Sequence, residues 1–183
     1  MAFLNIPQIY KKVVVVALML IIVIVPIDTS AKRVTSEHKY MAKFLYNFMS
    51  HVHFSDNQAN KINICIIGDN AITPHLSHLV RRQDSNLISV LPKYIDDNLN
   101  NCHVVYIDEV FKENEARALL KARNNKVLTI GNIKGFANRG GIVEFLLRKN
   151  KVELKINVSQ MSRNKISISD TLLSISDTIN TTE

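Results

Sequence analysis

Tryptophan is absent from this chain, and cysteine, proline and glycine are scarce, with two, four and five copies in 183 residues. So few glycines and prolines exclude collagen-like and low-complexity sequence. Two cysteines are too few for a disulfide-dense mini-scaffold. Acidic residues are outnumbered, 16 Asp and Glu facing 23 Lys and Arg. No apolar run reaches the 18 or so residues of a standard membrane span. Common nucleotide and hydrolase signatures are missing too: there is no G-x-G-x-x-G, no G-x-x-x-x-G-K-[ST] and no G-x-S-x-G. What is present is a 46 % hydrophobic composition, too apolar for intrinsic disorder, in a length that fits one domain.

The longest apolar run, Val13 to Val25, follows Lys11 and Lys12 and is ended by Pro26. Thirteen apolar residues behind a positive flank have the form of a signal-peptide core. Thr29-Ser30-Ala31 then offers a small residue at the cleavage edge, so cleavage after Ala31 is expected, leaving residues 32–183. An uncleaved anchor and a buried core segment are the competing readings. Export would place the rest in an oxidising compartment, where thiols tend to pair and nucleic acid is not an expected partner.

Charge in the remaining chain is uneven. Residues 32–120 hold ten basic and ten acidic side chains, whereas residues 121–165 hold eleven Lys and Arg against only Glu144 and Glu153. Such a zone suits an anionic surface, a phosphate-bearing ligand or an acidic partner, or else is a solvated face.

Hydrophobic periodicity predicts an amphipathic helix over 35–53, with Met41, Phe44, Leu45, Phe48 and Val52 on one face, Thr35 or Ser36 as cap and Glu37 in the first turn. Short apolar runs predict strands at Ile62–Ile67, Leu87–Leu91 (stopped by Pro92), His103–Ile107 and Val127–Ile130. Between them, 73–82 reads as a helix capped by Thr73, and Lys112–Arg123 as a helix with Ala116, Leu119 and Leu120 inward. Asp96 to Asn101 reads as a polar loop. The order predicts an α/β fold, a single domain with a mostly parallel sheet and helices on both faces. Ligand sites of such sheets lie outside the carboxyl ends of the strands, here Gly68-Asp69, Asp108-Glu109 and Gly131-Asn132.

The last third reads as a C-terminal β-hairpin, Ile142–Leu147 with Val152–Ile156, then a short helix over Val158–Asn164. Leu172, Leu173 and Ile175 are candidates to close the core, and residues 177–183 are expected to fray.

Gly135-Phe136-Ala137-Asn138-Arg139-Gly140-Gly141 is the most informative short segment. Its glycines permit tight turns and close approach, and its Arg can grip a carboxylate or phosphate as a fork. The plain alternative is a turn into the next strand. Glu144, alone among basic residues, is a candidate partner of Arg139. Neither His51-x-His53 nor His75-x-x-His78 is completed by a nearby Cys or carboxylate, so no metal and no cofactor is expected. No catalytic constellation stands out. Cys65 and Cys102 occupy or open two apolar strands; in an exported chain they most simply form one bridge, provided the strands are neighbours, and the alternative is two buried free thiols.

Several segments, in order, resemble the YfiR/HmsC family of small periplasmic proteins. They are Lys43-Phe44-Leu45-Tyr46-Asn47-Phe48, Ile64-Cys65-Ile66-Ile67-Gly68, Cys102-His103-Val104-Val105-Tyr106-Ile107, Val127-Leu128-Thr129-Ile130, Gly135 through Phe145 and Val152-Glu153-Leu154-Lys155-Ile156-Asn157. The resemblance runs from about residue 38 to 176, and the G-F-A-x-R-G-G-x-x-x-F string is its specific part. Departures are Phe54-Ser55 where the family usually has Trp-Pro, the absence of a Gly/Arg-rich run in 71–95, and the absence of a second cysteine pair. The resemblance implies a non-enzymatic periplasmic protein, often a homodimer, that binds the periplasmic domain of a membrane signalling protein. That partner would be a diguanylate cyclase held inactive, which lowers cyclic-di-GMP and biofilm formation; the alternative is a small-molecule-binding sensor module for a histidine kinase or outer-membrane receptor. The resemblance also supports a Cys65–Cys102 disulfide. Gly135, Phe136, Arg139, Gly140, Gly141 and Glu144 are then the expected partner or dimer surface.

Overall fold

In a computed structural model, the described residues are 29–54, 61–68, 70–83, 86–148 and 151–181, with side chains described from Ser36 onward. The chain divides into two units, Met1–Val34 and Thr35–Glu183. The apolar run Val13–Val25 and Pro26 lie outside the described residues, and of the first unit only the helical backbone from Thr29 is described. All that follows concerns the second unit. No helix among the described residues is long and apolar enough to cross a membrane.

The first helix, α1, spans Thr29–Phe48 rather than 35–53. Ala31 therefore lies in its first turn, and Thr35, Ser36 and Glu37 lie inside it rather than at its start. Met41, Leu45 and Phe48 form the predicted buried face, joined by Ala42. A 3-10 turn at Met49–His51 ends the helix, and Val52 opens strand β1 (Val52–Phe54) instead of continuing it. Val52 is β-branched and its neighbour His53 faces out, the alternation of a half-buried strand.

Strands β2 (Ile62–Ile67), β3 (Ile88–Lys93), β4 (Val104–Ile107), β5 (Leu128–Gly131) and β6 (Val143–Arg148) run parallel. β7 (Lys151–Asn157) returns antiparallel to β6 as the expected hairpin. The seven-stranded order is β3-β2-β4-β5-β6-β7-β9. β9 (Asp177–Ile179) pairs with β7 in the segment expected to fray, and its register carries Thr181 to the Asn157 side chain, whose Nδ2 donates to Oγ1 at 2.9 Å. A second, two-stranded sheet pairs β1 with β8 (Ile166–Ile168).

β3 continues through Pro92 to Lys93. Pro cannot donate to a sheet ladder, but β3 is an edge strand with an unpartnered side, so the proline is tolerated.

Alternation along the strands splits the apolar residues between two faces. Ile64, Ile66, Val104, Tyr106, Leu128 and Ile130 pack with α1 and with α2 (Ile72–Arg82). Cys65, Ile67, Val105 and Ile107 pack with α3 (Glu115–Asn125) on the other face. The sheet is thus covered on both sides, as all-apolar parallel strands require. α3 buries Ala118, Leu119 and Ala122 and leaves Ala116 and Leu120 exposed, against expectation. It is entered through a 3-10 segment, Glu109–Asn114, and its buried residues, Glu115, Ala118, Leu119 and Ala122, follow regular i, i+3, i+4, i+7 spacing on a neighbouring face. Two short helices, α4 (Val158–Arg163) and α5 (Asp170–Ser174), complete the C-terminal third; Leu172 is buried but Ile175 is exposed.

Cys65 and Cys102 form a disulfide with a Cα–Cα distance of 5.7 Å. Closing its 37-residue separation is worth on the order of 3–4 kcal/mol through the unfolded chain. A Cys65→Ala/Cys102→Ala double variant is expected to lose stability of that order and to melt roughly 10 °C lower by calorimetry. His103 gives a second expectation. Its Nδ1 accepts the Asn63 N–H at 3.0 Å, and burial lowers its pKa below the ordinary value near 6.5. The unfolded chain therefore binds this proton first as pH falls. The contribution is whole above about pH 6.5 and is lost as pH drops through the depressed folded value. Urea unfolding between pH 8 and pH 5 checks it: the native chain should lose more stability than His103→Gln over that interval.

Candidate functional site

The loop after β5 carries the Gly-Phe-Ala-Asn-Arg-Gly-Gly string, and it is a built object rather than a slack turn. Phe136 is fully buried, and a Cβ on Gly141 or Gly131 would lie 2.2 or 2.8 Å from its ring. Those two positions must be glycine for the ring to enter the core beneath the loop. Gly140 closes the short 3-10 turn Ala137–Arg139 with φ of +100°, a left-handed conformation that favours glycine.

Four elements hold the loop, three through its backbone and one through the Arg139 side chain. From β6, Glu144 accepts the Gly135 N–H at 2.9 Å and the Ala137 N–H at 3.1 Å, one on each carboxylate oxygen. From β7, the Asn157 Nδ2 donates to the Ala137 carbonyl at 2.8 Å. From β5, the Thr129 hydroxyl accepts the Ile142 N–H at 2.9 Å. From α3, Glu115 receives Arg139 as a fork, Nε and Nη2 each donating at 2.8 Å. These bonds push the Arg139 pKa further up, Glu115 being the main cause.

Two expectations need correction. Glu144 does not pair with Arg139: its oxygens face the loop amides, and the carboxylate that Arg139 grips is Glu115. Phe136, Gly141 and Glu144 are buried, so they support the loop from within instead of forming a contact surface. The exposed positions are Lys134, Asn138 and Arg139, with Gly135 and Gly140 partly exposed. Beside them lies a groove of about 410 Å³ lined by Lys134, Asn138, Leu146, Arg148, Lys155 and neighbours. Arg148 pairs with Glu153 at 3.0 Å and Lys155 with Asp177 at 3.4 Å, whereas Lys134 has no ion pair among the described residues.

Sequence reasoning missed Glu115 and Asn157. Glu115 lay hidden in a charged helix. Asn157 carried a legible signal, since Asn-x-x-Gln before a helix is a capping pattern, and its Oδ1 accepts the Gln160 N–H at 3.1 Å.

Of the three strand ends expected to open on a pocket, two are closed by their own side chains. Asp108 takes the Tyr106 hydroxyl at 3.1 Å, the Asn132 amide at 3.3 Å and the Val110 N–H at 3.1 Å. Asn132 in turn accepts the Glu109 N–H at 2.7 Å. Burial, with Asp108 beside it, pushes the Tyr106 phenol well above its usual pKa, so it stays a donor. The third end, at Gly68 and Lys93, opens on a cavity of about 350 Å³. Among the described residues no group of three or more His, Cys, Asp or Glu could hold a metal ion.

Comparison with known proteins gives a consistent frame. The profile of the family described as YfiR/HmsC-like matches residues 38–177. No curated protein matches the chain. Among solved structures, a conserved domain protein from Vibrio cholerae is similar at 11 % identity and a TM-score of 0.57, covering 77 % of this chain and 59 % of that one. The ABC domain in complex with L-Trp from Streptococcus pneumoniae is similar at 7 % identity and a TM-score of 0.53, covering 78 % and 60 %. A substrate-binding protein with adhesive properties from Clostridium difficile follows at 10 % identity and 0.50, covering 76 % and 58 %. These likenesses are of fold alone, and the chain spans about three fifths of the length of each.

The loop's bonds generate a graded expectation. Glu144→Gln turns one acceptor into a donor facing an N–H in a buried site, at a cost of about 2–3 kcal/mol. Arg139→Ala strips Glu115 of its fork; with Arg139 half exposed, about 1–2 kcal/mol is expected. Arg139→Glu should cost more, by setting like charges together. Chemical denaturation of the three variants checks the ranking.

Proposed function

The chain belongs to the YfiR/HmsC-like family of non-catalytic periplasmic regulators of signalling, and on that basis we propose that it binds and represses an inner-membrane diguanylate cyclase. Residues 1–31 serve as its export signal, and the exported chain engages the cyclase's periplasmic domain, acting as a homodimer. The observation that carries this reading is the motif loop: glutamate, asparagine, threonine and arginine side chains lock it, and it offers Lys134 and Asn138 beside a groove. A surface held this way loses little further entropy on binding, so more of its contact energy remains as affinity. The excess of basic residues over 121–165 favours an acidic partner face. Repression then follows from linkage: a protein that binds only the inactive cyclase shifts the equilibrium toward it by its differential affinity for the two states.

The other reading, a small-molecule-binding sensor module for a histidine kinase or outer-membrane receptor, is favoured by the open cavity at the β2 and β3 ends.

Cellular cyclic-di-GMP in the native host separates them. Repression predicts a rise on deletion, reversed by the full chain and not by a copy lacking residues 1–31. A full chain carrying Lys134→Glu should fold normally and fail to restore repression. Unchanged cyclic-di-GMP on deletion would favour the sensor reading.

A further inference from the structure

Two residues that line the carboxyl-end cavity between β2 and β3 carry buried polar atoms with nothing to bond. Asn70, 4 % exposed, lines it at the start of α2, and its Oδ1 accepts the Ile72 N–H at 2.9 Å. That bond fixes the amide's orientation, so the atom left over is the Nδ2 donor, which is buried and has no partner. Thr73 lines the same cavity, and its buried Oγ1 also has no partner. Leaving two such groups unsatisfied is costly unless something fills the site. The third polar group is Lys93, whose ammonium makes no ion pair among the described residues.

Two side chains with unpartnered donors and one cation line the same cavity at the positive end of an 11-residue helix, a combination that suits an anion. The helix's own amides add nothing further: Ile72 and Thr73 N–H are taken by Asn70, and Pro74 has none. A dianionic phosphate is poorly served by one Lys with neither an Arg fork nor a ring of free amides. A carboxylate, with one charge and two oxygens, matches the donors in number. The remaining walls are the rings of Pro74, Pro92 and Tyr94, which suit a short apolar tail. The volume of about 350 Å³ is at the small end of ligand sites.

We propose that this cavity binds a small organic monocarboxylate, with Lys93, Asn70 and Thr73 holding the carboxylate and Tyr94 and the prolines its apolar body. The site is separate from the motif loop and does not depend on the identity of the signalling partner.

The test is NMR titration of the 15N-labelled full chain with 3-methylbutanoate, with 3-methylbutanamide and inorganic phosphate as controls. A saturable shift of the Asn70 side-chain amide is expected, with a Kd of roughly 1 mM or below, and none with the neutral amide. Lys93→Gln should raise Kd about tenfold and Thr73→Val about threefold, with distant resonances unchanged. Three results would each overturn the proposal: no shift up to about 50 mM carboxylate, equal binding of the amide, or a Kd indifferent to Lys93→Gln. Phosphate binding more tightly than the carboxylate would overturn the choice of ligand class.

Discussion

The sheet depends on a crossover that no helix makes. β3 and β4 lie on either side of β2, all three parallel, so residues 94–103 must return from the carboxyl end of β3 to the amino end of β4 across the face of β2. Ten residues span at most about 35 Å when extended, enough for the path with little to spare. A polar loop so placed would ordinarily peel away. Here it is fastened along its length. Lys121 donates to the Ile95 and Asp97 carbonyls, Leu99 is buried, the Asn63 side chain holds the Asn101 carbonyl, and Cys102 is bonded to Cys65 in β2 itself. The disulfide therefore closes more than a stretch of unfolded chain. It nails the crossover to the strand it crosses, and the order of the sheet follows from that.

The motif loop is a second case of fastening from several sides, and it shows why one short string is so specific. Phe136 fills a hole that exists only because Gly131 and Gly141 lack side chains. Glu144 is two strand positions away from Ile142, which Thr129 holds. Each part makes sense only with the others, so partial matches to the string would carry little meaning. This is a polar network satisfied throughout, the condition under which buried polar groups specify one arrangement instead of weakening it.

How much of this was legible in the sequence depended on whether the signal was local. The parallel strands announced themselves as short β-branched runs, and the hairpin by the alternation of Val152, Leu154 and Ile156. The α3 face was misread because its apolar residues, at 116, 118, 119, 120 and 122, allow two overlapping faces, and packing on the sheet chooses the one with Ala118, Leu119 and Ala122. β9 was invisible: Thr178 and Ile179 suit a strand, but three residues are too few to show an alternation, and only pairing with β7 makes them one. In α2, Thr73 followed by Pro74 looked like a cap and first turn. The helix in fact begins at Ile72, with Asn70 capping it from two residues upstream and the Thr73 hydroxyl left over. The partners of Arg139 and Glu144 were beyond reach for a different reason. Arg139 stood out beside its glycine pair and Glu144 as a lone acid among basic residues, but which carboxylate meets which donor is decided by how α3 lies on the sheet.

That placement of α3 also bears on how two sites on one sheet can influence one another. Near its start, Glu115 holds Arg139 of the motif loop; near its middle, Lys121 holds the crossover loop one and three residues beyond Tyr94, which walls the β2–β3 cavity. The two residues are six apart on one helix, a rigid link of about 9 Å. A displacement of the crossover loop beyond the reach of the flexible Lys121 stem must either break its bonds or move the helix, and moving the helix shifts the carboxylate that positions Arg139. Contact alone does not make a switch, since coupling requires that one occupant prefer one arrangement of the other site. The fold provides the mechanical path for such a preference: a half-exposed ion pair at one end, a lysine clasping two carbonyls at the other, and a helix too short to bend between them.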